Sequence, residues 1–167
     1  MRSVTYRLER AQLIPQAREH VFAFFANAAN LEKLTPDFLN FRILTPLPID
    51  MRPGQLIDYR LRLFAMSFTW CTCIETFDPP RSFTDIQQRG PYRRWHHLHE
   101  FFEVAGGTLV VDRVTYELPL GILGRLTHAL FVRHTLERIF DYRRACLQVL
   151  FPPAKTMLSP CTSYAED

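Results

Sequence analysis

No stretch of the chain approaches the roughly 18 consecutive apolar residues that cross a bilayer, and no charged-then-apolar leader precedes Val4. The expectation is a soluble, cytoplasmic protein without stable membrane insertion, its thiols reduced. Cysteine is sparse, with four at Cys71, Cys73, Cys146 and Cys161. Cys71 and Cys73 stand two apart with no second pair at zinc spacing, which argues for small packing residues on one strand face. Charge of one sign is lacking too. Twenty Lys plus Arg against 17 Asp plus Glu leave +3, mostly arginine and in no basic block, which argues against a nucleic-acid partner. Nucleophile elbow, phosphate loop and dinucleotide fingerprint are all missing, so no cofactor is expected. Neither internal repeats nor a linker interrupts the 167 residues, a single-domain length.

What the chain has in quantity is aromatic surface, with 14 Phe among residues that are 47% hydrophobic. Such side chains fill a core or line a cavity, and composition does not choose. Their arrangement is clearest between Tyr92 and Leu118. Two runs rich in β-branched and aromatic residues flank Ala105-Gly106-Gly107, the pattern of a β-hairpin with its tip at Ala105-Gly106. A two-residue loop sets Phe101 against Val110, His99 against Asp112, His97 against Val114 and Trp95 against Tyr116, all eight on one face. That face is dry apart from its centre. The other carries Arg94, His96, Leu98, Glu100 and Phe102, a solvent-tolerant set. A buried carboxylate left unpaired costs several kcal/mol, so His99 is the expected partner of Asp112.

Around the hairpin the pattern is orderly. Residues 4–13 alternate as a strand, and Pro15 opens a helix over about 15–27. A second short helix runs from Asn27 to Thr35 and is ended by Pro36. Short strands are expected at Phe41–Leu44, from Gly54 to Leu63, from Met66 to Phe77 after a turn near Ala65, and at residues 82–89, joined as an antiparallel meander. Leu118–Gly124 is apolar and broken by Pro and Gly, with the composition of a lid or of a packed connection. A long amphipathic helix follows over Arg125–Phe151, its stripe formed by Ala129, Val132, Leu136, Ile139, Phe140, Cys146, Leu147 and Leu150. Arg143 falls inside that stripe. The polar residues 152–167 have no periodicity and are expected to be a disordered tail.

This order of elements, with NLEKLTP at Asn30, the run from Phe83 to Gly90-Pro91, WHHLHEF, GGTLVVDRVTYELPLG and ERIFDYRR, resembles the START-like or SRPBCC superfamily. Within it the chain looks like the bacterial ligand-binding and cyclase/dehydrase branch. The resemblance covers residues 3–151 and implies the helix-grip fold. This is an α+β domain with a curved antiparallel sheet of about seven strands around a long C-terminal helix, and two short helices after the first strand. It also implies a cavity for a lipid, sterol, polyketide, quinone or hormone, but names no ligand.

The leading reading is therefore a protein that binds a mainly hydrophobic small molecule between sheet and helix. Trp95, His97, His99, Asp112, Tyr116, Tyr59, Phe140 and Arg143 are the candidate lining. Two alternatives stand beside it. One is a cyclase, aromatase or dehydratase in which His99 and Asp112 work as base and orienting carboxylate, and the other is an interaction module whose aromatic side chains fill the space. A structural His99–Asp112 pair that pins the register is preferred to a catalytic one. His97, His99 and Asp112 have a spacing that can present ligands to a metal, but no further ligand is evident, and the superfamily is mostly metal-free, so no metal is assigned. Arg143 reaches Asp112 or an anionic ligand group, or else snorkels to solvent. Asp85 and Gln87 extend the polar lining only if their face of the strand points inward, which its pattern leaves undecided.

Overall fold

The computed structural model describes residues 4–63, 66–119 and 121–153. Strand β1 (Thr5–Ile14) leads into helix α1 (Arg18–Phe25), two 3-10 turns (Ala28–Leu31 and Asp37–Leu39) and the short β2 (Arg42–Ile43). Strands β3 (Leu56–Leu63), β4 (Met66–Asp78), β5 (Ser82–Arg89), β6 (Arg94–Val104) and β7 (Gly107–Glu117) follow. Helix α2 (Gly121–Thr127), a π turn (His128–Val132) and α3 (Arg133–Leu150) then form the C-terminal helical segment. Seven strands make one antiparallel sheet in the order β1-β7-β6-β5-β4-β3-β2. This is the helix-grip α+β fold. Irregular register in β4, between Cys71 and Thr72 and between Ile74 and Thr76, supplies bulges of the kind that curve a sheet.

Local chemistry moves several boundaries from where the pattern puts them. Gln16 N–H bonds the Ile14 carbonyl and Ala17 is extended, so the chain is still turning at Pro15 and α1 starts only at Arg18. The helix expected over Asn27–Thr35 is instead one 3-10 turn, capped by the Asn27 side chain, and loose turns up to Pro36. The expected strand at Phe41–Leu44 has ladder partners at Arg42 and Ile43, and Leu44 N–H adds one bond to the Asp58 carbonyl of β3. Regular helix also begins earlier than Arg125, because Gly124 packs against the Pro119 backbone so tightly that a Cβ would lie 2.2 Å from its carbonyl oxygen. The π turn inserts an extra residue and shifts the apolar stripe. Leu136, Phe140, Arg143 and Leu147 are buried, whereas Ala129 and Leu150 are exposed. The turn near Ala65 and residues 154–167 of the expected tail lie outside the described residues.

The central hairpin has the register expected from its two-residue loop, with Trp95 opposite Tyr116, His97 opposite Val114, His99 opposite Asp112 and Phe101 opposite Val110. Its inner face packs into one end of the domain with Ile14, Val21, Phe22, Phe83 and Leu147, a cluster that closes the space between sheet and helix. Cys71 and Cys73 share the face opposite Trp70, Thr72 and Ile74, and both are free thiols.

The hairpin tip is held against the β1–α1 junction, where Thr108 Oγ1 donates to the Gln16 carbonyl at 2.8 Å. Gly107 sits there at φ +144°, and a Cβ would lie 2.1 Å from the Ile14 carbonyl oxygen. Gly106, at φ +88°, has open space around it. Gly107→Ala is therefore expected to lose about 2–4 kcal/mol in urea unfolding, and Gly106→Asn less than about 1 kcal/mol. Equal losses at the two positions would contradict this packing.

Candidate functional site

The twist of the sheet carries its inner face around α3 and leaves a cavity of about 710 Å³. Its walls are overwhelmingly apolar. Tyr59 from β3, Trp70 from β4, Trp95 from β6, and Leu136 and Phe140 from the C-terminal helix supply much of the wall. The 3-10 turns, Leu118 and Pro119, and Phe131 of the π turn also line it. Thr72 Oγ1 accepts from Trp70 Nε1 and pairs with the Tyr59 hydroxyl, each at 3.0 Å, so two polar tips in the wall satisfy one another.

Of the residues expected to line a cavity, Tyr59, Trp95, His97, His99, Phe140 and Arg143 do so. Asp112 and Tyr116 do not. Asp112 lies behind the imidazoles, on the side of β1, where Arg10 is its register partner. Tyr116 is covered because its hydroxyl pairs with His128 Nε2 at 2.8 Å and its ring stacks on Tyr6. Burial, then the neighbouring Tyr6, pushes the Tyr116 hydroxyl up to about 12, consistent with a structural donor.

The polar part of the wall is a tetrad. Asp85 on β5 is the register partner of His97 on β6, and His99 lies two residues further along β6, opposite Asp112 of β7. Asp112 Oδ1 lies 3.0 Å from His97 Nε2 and 2.6 Å from His99 Nδ1. The first is a hydrogen bond. The second is short but misaligned, a close charge contact rather than a hydrogen bond. Across the imidazoles, Asp85 Oδ2 lies 3.2 Å from His99 Nε2 and 3.5 Å from His97 Nδ1. Asp85 is the most open of the four, with 16% of its side chain exposed. His99 stacks on Phe83 and His97 meets the edge of Phe140, which holds both rings in place.

Asp85 is the member the sequence left open. Its inward orientation follows from the β5–β6 register, which the turn around Gly90 and Pro91 does not dictate as a two-residue loop dictates β6–β7. Arg143 neither forms an ion pair with Asp112 nor snorkels. It is buried at 9% exposure, lies beside the Phe140 ring and lines the cavity, and its Nε has no hydrogen-bond partner among the described residues.

Burial opposes ionisation of Asp112, yet the His99 charge and the contacts of both imidazoles hold its carboxyl well below the usual range. Asp85 is lowered in the same way, against burial, by His99, His97 and Arg143. Burial also works against the His99 imidazolium, but Asp112 and then Asp85 raise it above its ordinary value. His97 goes the other way, lowered by burial and by the charge of His99. The arrangement favours two carboxylates, one imidazolium and one neutral imidazole.

Each group sets its own sign for stability against pH. The depressed carboxylates stabilise the fold above their unfolded values and lose that contribution as pH falls through the folded ones. The raised His99 stabilises below its unfolded value, about 6.5, and loses this as pH rises through the folded one. Depressed His97 contributes above the same unfolded value and loses this as pH falls. Asp112→Asn is therefore expected to cost roughly 1–3 kcal/mol near pH 6. The gap should shrink toward acid pH, where the wild-type carboxylate protonates, and toward alkaline pH, where His99 loses its proton. Melting curves from pH 3 to about 9 would test this, and a constant gap would exclude it.

Solved structures share this fold. The chain is similar to TTHA0849 from Thermus thermophilus, at TM-score 0.65 and 18% identity over 88% of this chain and 99% of that one. It is similar to CV1439 from Chromobacterium violaceum, at TM-score 0.65 and 16% identity over 90% and 99%. It also matches Ara h 8.0201, at TM-score 0.58 and 13% identity over 87% and 99%. No family model matches the sequence, and no curated protein matches it. At these identities the likeness establishes the architecture, the helix-grip fold, and nothing beyond it.

Proposed function

We propose that the protein binds a mainly hydrophobic small molecule with one polar end, of the lipid, polyketide or quinone kind, inside the cavity. The observation that carries this reading is that about 710 Å³ of apolar space has Asp85, His97, His99 and Arg143 in its lining, with Asp85 close to both imidazoles and within reach of the Arg143 charge. An open apolar chamber with a few convergent polar groups is the usual form of a small-molecule site. It also speaks against an interaction module with a filled core. No helix among the described residues is long and apolar enough to cross a membrane. Cytoplasmic placement rests on the sequence reading alone.

The unpartnered Nε of buried Arg143 favours a ligand that carries an acceptor, above all a carboxylate. Trp70 and Trp95 both line the cavity, so occupancy is readable by quenching of their emission. Anthracene-9-carboxylate is expected to quench saturably, and Arg143→Met to weaken it at least tenfold while changing anthracene-9-methanol less than about threefold. Absence of saturable quenching by either probe would count against the cavity as a binding site.

His97 and His99 face the cavity, and this supports a second reading in which His99 moves a proton on a bound polyketide-like substrate. With a co-purifying ligand, a binder should keep its affinity in Asp112→Asn. An enzyme would keep affinity and lose turnover by orders of magnitude, because the charge that supports the imidazolium is gone.

A further inference from the structure

Three potential ligand atoms, Asp85 Oδ2, His97 Nδ1 and His99 Nε2, converge at the tetrad. With the His97 proton on Nε2 toward Asp112, His97 Nδ1 presents a lone pair, and His99 Nε2 does the same once its own proton leaves. These nitrogens lie 3.5 and 3.2 Å from Asp85 Oδ2, the second at hydrogen-bond geometry. A single proton on His99 relieves one of these two contacts and leaves the His97 lone pair facing a carboxylate. One cation between the three relieves both.

We propose that Asp85, His97 and His99 form a three-ligand site for a divalent transition metal, with Asp112 as the carboxylate that orients both imidazoles. The three ligand atoms lie within 4.8 Å of one another. Ligands about 2.1 Å from one ion stand roughly 3.0–3.4 Å apart in octahedral or tetrahedral geometry, close to the two separations from Asp85. Two imidazoles and one carboxylate are a donor set for zinc or iron(II) rather than calcium or magnesium. Metal-bound histidines characteristically give their outer N–H to a carboxylate, and a single Asp112 oxygen stands behind both rings here. This set differs from His97, His99 and Asp112, the one the strand spacing suggests, because Asp112 lies on the far side of the rings.

Three protein ligands leave coordination positions free, and all three residues line the cavity. The ion would therefore meet the polar end of whatever occupies it, with the Arg143 guanidinium, which also lines the cavity, favouring an anionic oxygen. The proposal goes beyond the ligand-binding reading and does not depend on it, since the test uses metal alone.

Full-length protein stripped with a chelator is titrated with Co²⁺ and with Zn²⁺. The expected result is one equivalent per chain, with visible cobalt d–d bands and no thiolate charge-transfer band. Asp85→Asn should weaken binding at least a hundredfold. Asp112→Asn should weaken it ten- to a hundredfold and keep the stoichiometry. In the wild type, ¹⁵N spectra of the imidazoles should show Zn²⁺ shifting Nδ1 of His97 and Nε2 of His99 while His96 is unmoved, a readout that needs no variant to fold. Lack of stoichiometric uptake by folded protein, a thiolate band, affinity unaffected by Asp85→Asn, or shifts at other nitrogens would each overturn the assignment.

Discussion

The buried carboxylate of Asp112 constrains everything around it. Its side chain is 9% exposed, and at that depth an unpaired charge would cost several kcal/mol. Two imidazoles from one neighbouring strand meet that demand, and they do so only in one register. A slip of one residue between β6 and β7 would turn Asp112 away from His99 and bring Arg113, now at the surface with Glu9, toward the core. The same pairing explains why the histidines face the cavity. With Asp112 behind the rings, the other nitrogen of each points toward Asp85.

The cavity has a separate origin in shape. A sheet that bends around a helix encloses more volume than ordinary aliphatic side chains fill, and a void lined by apolar groups forfeits packing. Here the aromatic residues are spent on the ends and walls. Phe22, Phe83 and Phe101 meet edge-on or stacked and seal one end. Tyr59, Trp70 and Trp95 form another interlocked group. Because Thr72 satisfies the tips of Tyr59 and Trp70, these side chains stand in the wall without reaching across the chamber.

How much of this could be read in the chain depends on how local the determinant was. The β6–β7 register was legible because a two-residue loop and a strict alternation leave one solution. The strand order and the long C-terminal helix were legible from turn residues and periodicity. Asp85 was not, since its partner strand is reached through an irregular turn and both faces of β5 carry buried residues, Phe83 on one and Thr84 on the other. Tyr116 was misplaced for a related reason. Its position on the dry face was right, but of the residues that cover it Tyr6 comes from the far end of the chain and His128 from beyond the irregular connection after β7. The boundary of the last helix was hidden by Pro119, Gly121 and Gly124, residues that argue against regular structure until the close packing of Gly124 on Pro119 is seen.

The distribution of rigid and irregular elements then separates two tasks. Asp85, His97, His99 and Asp112 sit on three adjacent strands, where ladder hydrogen bonds fix backbone positions far more tightly than loops do. Another part of the lining comes from 3-10 turns, the Leu118–Pro119 connection and a π turn, elements whose backbone can vary without disturbing the sheet. Likeness of fold at under 20% identity is what such a division permits. Arg143 belongs to neither group. Among the described residues it is the charged side chain that α3 buries, and its charge bears on both Asp85 and Tyr59. A head group that accepted from Arg143 while meeting the tetrad would bridge helix and sheet directly. The spacing between those two layers, otherwise held by apolar contacts at the ends, would then be fixed at its centre by the ligand itself.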